Sequence, residues 1–216
     1  QIMVNNPLWR KPLTQFKEMI YQWCTTPNPD ALMNLAIFID AKSVAGRTEL
    51  LDEAQSYLSG MFNNDAGMMM VFARAVELFD HQNSGFLSQL LNRDKSTFMN
   101  IKKMGIFPIV HGVRALGLEA HIEETNTFER LHILSNKGIL DEALARDVGE
   151  ALSYMMDVRL KSGLEAITLG AAVDKDLNKL DTVNMSTLER DLLKDALQVV
   201  KRFKAKIRQH FHLGNA

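Results

Sequence analysis

Apolar residues recur at spacings of three and four through most of the chain, and no segment alternates with the period of two expected of a half-buried strand. The pattern predicts an all-α fold, a multi-helix bundle of about eight to nine helices with an up-and-down, four-helix-bundle-like core. A first helix starts after Pro12 and buries Leu13, Phe16, Ile20 and Trp23, and "TTPNPD" ends it. A second runs from about Asp30 through "ALMNLAIFIDAK", and Gly46 breaks the chain before a third, "RTELLDEAQSYLSGMF". "AGMMMVFARAVELF" makes the fourth, and "FLSQLLNRDKSTFMN" reads as a short helix with an extended lead into Lys102. Thr127 is the expected N-cap of a short helix stopped by Gly138, and a long helix follows from about Asp141 to Ser162. "GAAVDKDLNKLDTVNM" is the longest irregular connection. The last helix begins at Ser186, where "STLE" is a capping box, and buries Leu188, Leu192, Ala196, Val199, Phe203 and Ile207.

Polar residues inside these apolar stripes carry the candidate chemistry. The central helix starts near Ile106, because Pro108 suits a first turn and Gly105 the position before it. Ile106, Val110, Val113 and Ala120 form one stripe and Phe107 and Leu118 another, with His111 and Arg114 between them. Such a helix is central and largely buried, so its arginine needs a carboxylate or a phosphate as partner. Lys102, Lys103, His111 and Arg114 gather near a helix N-terminus, whose N–H groups and positive dipole suit phosphate. His111 taken alone suits a core position equally well. Thr125 and Arg130 either extend the cluster or belong to a capping turn. In the long helix the stripe Leu144, Val148, Leu152, Met155 continues to Arg159, and in the second helix Met33, Ala36 and Ile37 share a face with Asp40. Both charges are expected to be mostly buried and paired. Asp40 is a structural counter-ion for Arg114 or Arg159, or the arginine serves a ligand.

A formal net charge of -1 removes the broad electrostatic footprint of a nucleic-acid binder. The basic face of the last helix, Lys201 to Arg208, suits solvent beside a helix C-terminus better than phosphate. No apolar run approaches the ~20 residues that cross a bilayer, so no membrane partner and a cytoplasmic location are expected. The single Cys24 sits among apolar neighbours and reads as a buried thiol. His210 and His212 are two apart, which puts them on different helix faces and argues against a metal site. "DKD" at 174–176 either holds magnesium or is a solvated loop. Phosphate loops, zinc motifs and nucleophile elbows are all missing, so no self-sufficient catalytic centre is present. The chain opens without an initiator methionine, and it is expected to be a piece of something longer.

"NPLWRKPL", "IFIDAKSVAG", "IKKMGIFPIVHGVRAL", "TNTFERL" and "STLERDLLKDALQVVKRF", taken in order, resemble the putative nucleotidyltransferase substrate-binding domain family. The central stretch is more distantly similar to PII uridylyltransferase and glutamine synthetase adenylyltransferase. The resemblance implies an accessory helical domain of a bacterial signalling protein, placed after a nucleotidyltransferase-like domain and often after cyclic-nucleotide-binding and CBS modules. Residues 1–50 would be a helical tail joining the absent catalytic domain, and 51–216 the substrate-binding domain. Lys102, Lys103, His111, Arg114, Arg130 and Arg159 would then face a nucleotide or a protein acceptor. Mg2+ and a nucleoside triphosphate would come with the catalytic domain, and no cofactor is expected in this chain. Two further classes stay open on the residues alone: a helical small-molecule-binding regulatory module, and a pure protein-interaction domain.

Overall fold

The computed structural model describes residues 6–78, 98–168, 178–182 and 185–214. Among them are eight α-helices and one two-stranded ladder, so the protein is an all-α helical bundle. The expected short helix in 86–97 and the acidic pair at 174–176 lie outside the described residues. Contacts divide the chain at Ala75/Val76 into two compact units.

In the N-terminal unit, α1 (Leu13–Thr25) packs on α2 (Pro29–Ile39) and α3 (Glu49–Asn64), and α3 on α4 (Ala66–Arg74). Pro12 stands before the first turn of α1, where its missing N–H costs nothing, and Asn28 caps α2 by accepting the Ala31 amide at 2.9 Å. The core is aromatic. Trp9 meets Trp23 at 5.5 Å between ring centres and Phe16 meets Phe38 at 5.2 Å. Cys24 is buried here, and burial pushes its thiol up to about 11, so it stays protonated. Asp40 does not continue an inward stripe. It is the C-cap of α2 and only half-buried, because the helix ends at Ile39 and Ile37 on the same face is exposed.

In the C-terminal unit, α5 (Phe107–Glu119), α6 (Thr127–Asn136), α7 (Glu142–Thr168) and α8 (Thr187–His210) form a ring in which α5 touches α6 and α8, α6 touches α7, and α7 touches α8. Three buried glycines set how closely the neighbours approach α5. A Cβ at Gly105 would lie 2.1 Å from the Met155 sulfur of α7, one at Gly112 2.6 Å from the Phe203 ring of α8, and one at Gly117 3.3 Å from the Arg130 side chain of α6. A helix apolar nearly all round thus finds neighbours on several sides, as its pattern required.

Several boundaries differ from the sequence reading. The cap of α6 is Asn126, which accepts the Phe128 and Glu129 amides, and Thr127 is its first helical residue. The helix α7 continues past Ser162 to Thr168, since Gly163 interrupts it only in propensity. The capping box at Ser186 is present, but α8 buries Leu193, Leu197 and Val200 and leaves Leu188 and Leu192 exposed. Both registers offer leucines at helical spacing, and packing on α5 and α7 selects one of them.

The ladder pairs β1 (Phe98–Asn100) antiparallel with β2 (Lys179–Asp181), with Met99 opposite Leu180. Each strand has three residues, too few for a period of two to show in the sequence.

Candidate functional site

The α-helical part of the central helix begins at Phe107 with Ile106 as its N-cap and Pro108 in its first turn, as its pattern predicted, but it has an extension before it. Residues 102–106 form a π-helical turn that runs straight into α5, and the Phe107 amide donates to the Lys102 carbonyl. The amide that would have been free at Phe107 is therefore spent. π-Turns inside helices are frequent at functional sites, and this one carries both lysines.

The start of the π-turn is fixed from two directions. Asn100, the last residue of β1, accepts the Lys103 amide on its side chain at 3.0 Å. The Ile101 amide donates to the Asn178 carbonyl at 3.1 Å, just before β2. The side-chain oxygen of the same Asn178 accepts from Arg159 Nε on α7 at 2.9 Å. One asparagine thereby ties the first turn of the central helix to an arginine one turn beyond Met155, the residue packed on Gly105.

The backbone of Lys102 and Lys103 is thus tied to Arg159 at one corner, at the N-terminal, positive end of the central helix. Lys102 and Arg159 are exposed and Lys103 is half-buried. Among the described residues no carboxylate bridges Lys102 or Arg159. The expected burial of Arg159 does not hold. No residue of α7 after Met155 is fully buried, so its stripe outlasts the packed part of the helix.

The other predicted residues fall elsewhere. Helical rise puts Arg114 roughly 17 Å along the axis from Lys102, so the two do not share the helix start. His111 is 1 % exposed and stacks on Phe107, with ring centres 5.4 Å apart and planes at 15°. It is a core residue. Arg114 is half-buried, and Arg130, 3 % exposed, lays its stem across Gly117 one turn further on. Arg130 thus belongs to the α5–α6 contact.

Sequence reasoning missed Asn100 and Asn178. An asparagine two residues before a lysine pair is a legible cap signal, whereas nothing in "DLNKLD" announces that Asn178 meets Ile101 and Arg159.

Among the described residues no group of three His, Cys, Asp or Glu side chains is placed to hold a metal, and no helix is long and apolar enough to cross a membrane. No curated protein and no solved structure matches the chain. The sequence model of one family does, over residues 66–211, which takes in α4 and the whole four-helix ring. A match over more than half of its length makes the chain a member of the putative nucleotidyltransferase substrate binding domain family.

Proposed function

We propose that the helical domain holds a phosphate-bearing substrate, a nucleoside triphosphate or the acceptor that receives its nucleotidyl group, for a nucleotidyltransferase domain of the uridylyl- or adenylyltransferase type in a bacterial signalling protein. The observation that carries this reading is the Asn178 tether, which holds the exposed guanidinium of Arg159 beside the helix turn bearing Lys102 and Lys103. Three cations at a helix N-terminus stabilise phosphate oxygens through charge-assisted hydrogen bonds, and a guanidinium already held at Nε keeps its terminal nitrogens for a bidentate contact. His111 supports the helix from within, while Arg130 shapes its contact with α6. In this reading the catalytic residues and Mg2+ belong to the transferase domain, and the helical domain contributes positioning.

Calorimetric titration of the chain with ATP, UTP and pyrophosphate tests it. Lys103→Gln and Arg159→Gln are each expected to weaken binding about tenfold, the scale of one charge-assisted contact, and high salt to weaken it further. Unchanged affinity in both variants, or a larger loss in Arg114→Gln, would move the site away from the Asn178 corner.

A further inference from the structure

We infer that Gly105 is the positioning residue of the phosphate corner: because it has no side chain, the π-turn lies close enough to α7 for Lys102 and Lys103 to act with Arg159 on one ligand. The inference rests on the phosphate reading of that corner and adds to it what sets the spacing between its two halves. Gly105 is buried inside the turn, three residues after Lys102 and two after Lys103. A Cβ there would lie 2.1 Å from the Met155 sulfur, 3.2 Å from its methyl carbon and 3.7 Å from its Cγ. Carbon contacts ordinarily stand at about 3.5–4.0 Å. The thioether thus occupies the place in which any other residue would begin its side chain.

Met155 is 0 % exposed, so it does not make way by swinging into water. A close-packed interior leaves even a flexible thioether little room to turn, and an added methyl is relieved most directly by a retreat of the turn from α7. That retreat is felt at the charges. Arg159 follows Met155 by four residues, which puts it one turn further along the same face of α7, about 6 Å on. The Asn178 bridge spans the same gap, with its carbonyl on the Ile101 amide at 3.1 Å and its side-chain oxygen on Arg159 Nε at 2.9 Å. Such bonds are lost once donor and acceptor part beyond roughly 3.5 Å, so the bridge has only about half an ångström to give. It limits how far the two elements part, and the glycine contact sets how near they come. Gly112 and Gly117 play the same part toward α8 and α6, but Gly105 alone of the three lies in the turn that bears the lysines.

Pyrophosphate is the probe, titrated calorimetrically into the purified chain, and the Arg159 Nε–H resonance is read by NMR in the same samples without ligand. Gly105→Ala is expected to bind about tenfold more weakly, the loss of one charge-assisted hydrogen bond, and to move the Arg159 resonance toward its position in Asn178→Ala. Gly112→Ala is the control for overpacking as such. Its new methyl meets the Phe203 ring of α8 at 2.6 Å, and it should lower the melting temperature without weakening binding. Adding Met155→Ala to Gly105→Ala empties the place that the new methyl needs and should restore both the affinity and the resonance. If Gly105→Ala alone does not fold, this double variant decides: wild-type affinity supports the inference and a tenfold loss overturns it. Wild-type affinity with an unmoved Arg159 signal in Gly105→Ala overturns the inference and leaves the phosphate reading standing, as does a loss that Gly112→Ala shares in equal measure. A wild-type chain that binds no pyrophosphate removes the phosphate reading and the inference with it.

Discussion

Glycines show how single residues govern the packing of this protein. At Gly112 an added methyl meets the Phe203 ring at 2.6 Å and Ile207 at 3.1 Å, and both side chains are fully buried on α8. Gly112→Ala should therefore cost about 1–3 kcal/mol by overpacking, despite the better helix propensity of alanine. Gly60 in α3 is the control, because a Cβ there meets nothing within 4 Å. Gly60→Ala should stabilise by roughly 0.5–1 kcal/mol. Chemical denaturation of both variants checks the pair, and equal effects would mean that close approach at Gly112 is not what keeps it glycine. Arg130 belongs to the same scale, since its stem lies against Gly117 and its side chain is buried. Arg130→Met should shift the folding midpoint more than Arg159→Met, because only the first removes a charge from a desolvated place.

Among the elements, α8 has the most explicit start. Ser186 and Glu189 exchange side-chain bonds in a capping box, and Lys161 bridges Glu189 from α7. The Lys161 hydrogen bond, with the bonds from Ser186, lowers the Glu189 carboxyl from 4.5 to about 2. A depressed carboxyl contributes stability that is complete above the ordinary value and lost as pH falls through the folded one. The difference in melting temperature between wild type and Glu189→Gln should be constant above pH 4.5, shrink toward about 2, and diminish in high salt because the pair is exposed. A difference that persists at the lowest pH would assign the effect to packing. Such locks were only partly legible in the sequence. "STLE" announced the capping box because both partners lie within one turn, whereas Lys161 and Tyr154 come from another helix and left no local signal. The same distinction explains the errors. The stripe that led to Arg159 was real, but periodicity cannot say where the neighbouring elements stop covering it. Pro108 correctly marks the first turn of α5, but the π-turn at 102–106 keeps helical composition and so left no signal of its own ahead of it.

On the scale of the whole molecule, helices that diverge in sequence are brought together by a short ladder. The pairing of β1 with β2 places Asn100 and Asn178 beside each other's neighbours, and through them the turn that bears Lys102 and Lys103 is tied to Arg159 at one corner of the four-helix ring. The all-α class, the family and the individual cations were readable from periodicity and motif. Their grouping was not, since it depends on a ladder too short to show in the sequence. Because the chain lacks a recognisable transferase motif, the purified protein should show no nucleotidyl transfer by itself. Turnover of labelled nucleoside triphosphate that a point change in this chain abolishes would refute that expectation. The central claim is that the corner tied by Asn178 receives phosphate, and amide and guanidinium chemical shifts followed by NMR during a pyrophosphate titration test it most directly. The account predicts saturable shifts at Asn100 to Lys103 and at the Arg159 Nε–H, all lost in Asn178→Ala while the fold persists. Shifts confined to Arg114 and Arg130, or none at all at saturating pyrophosphate, would contradict it.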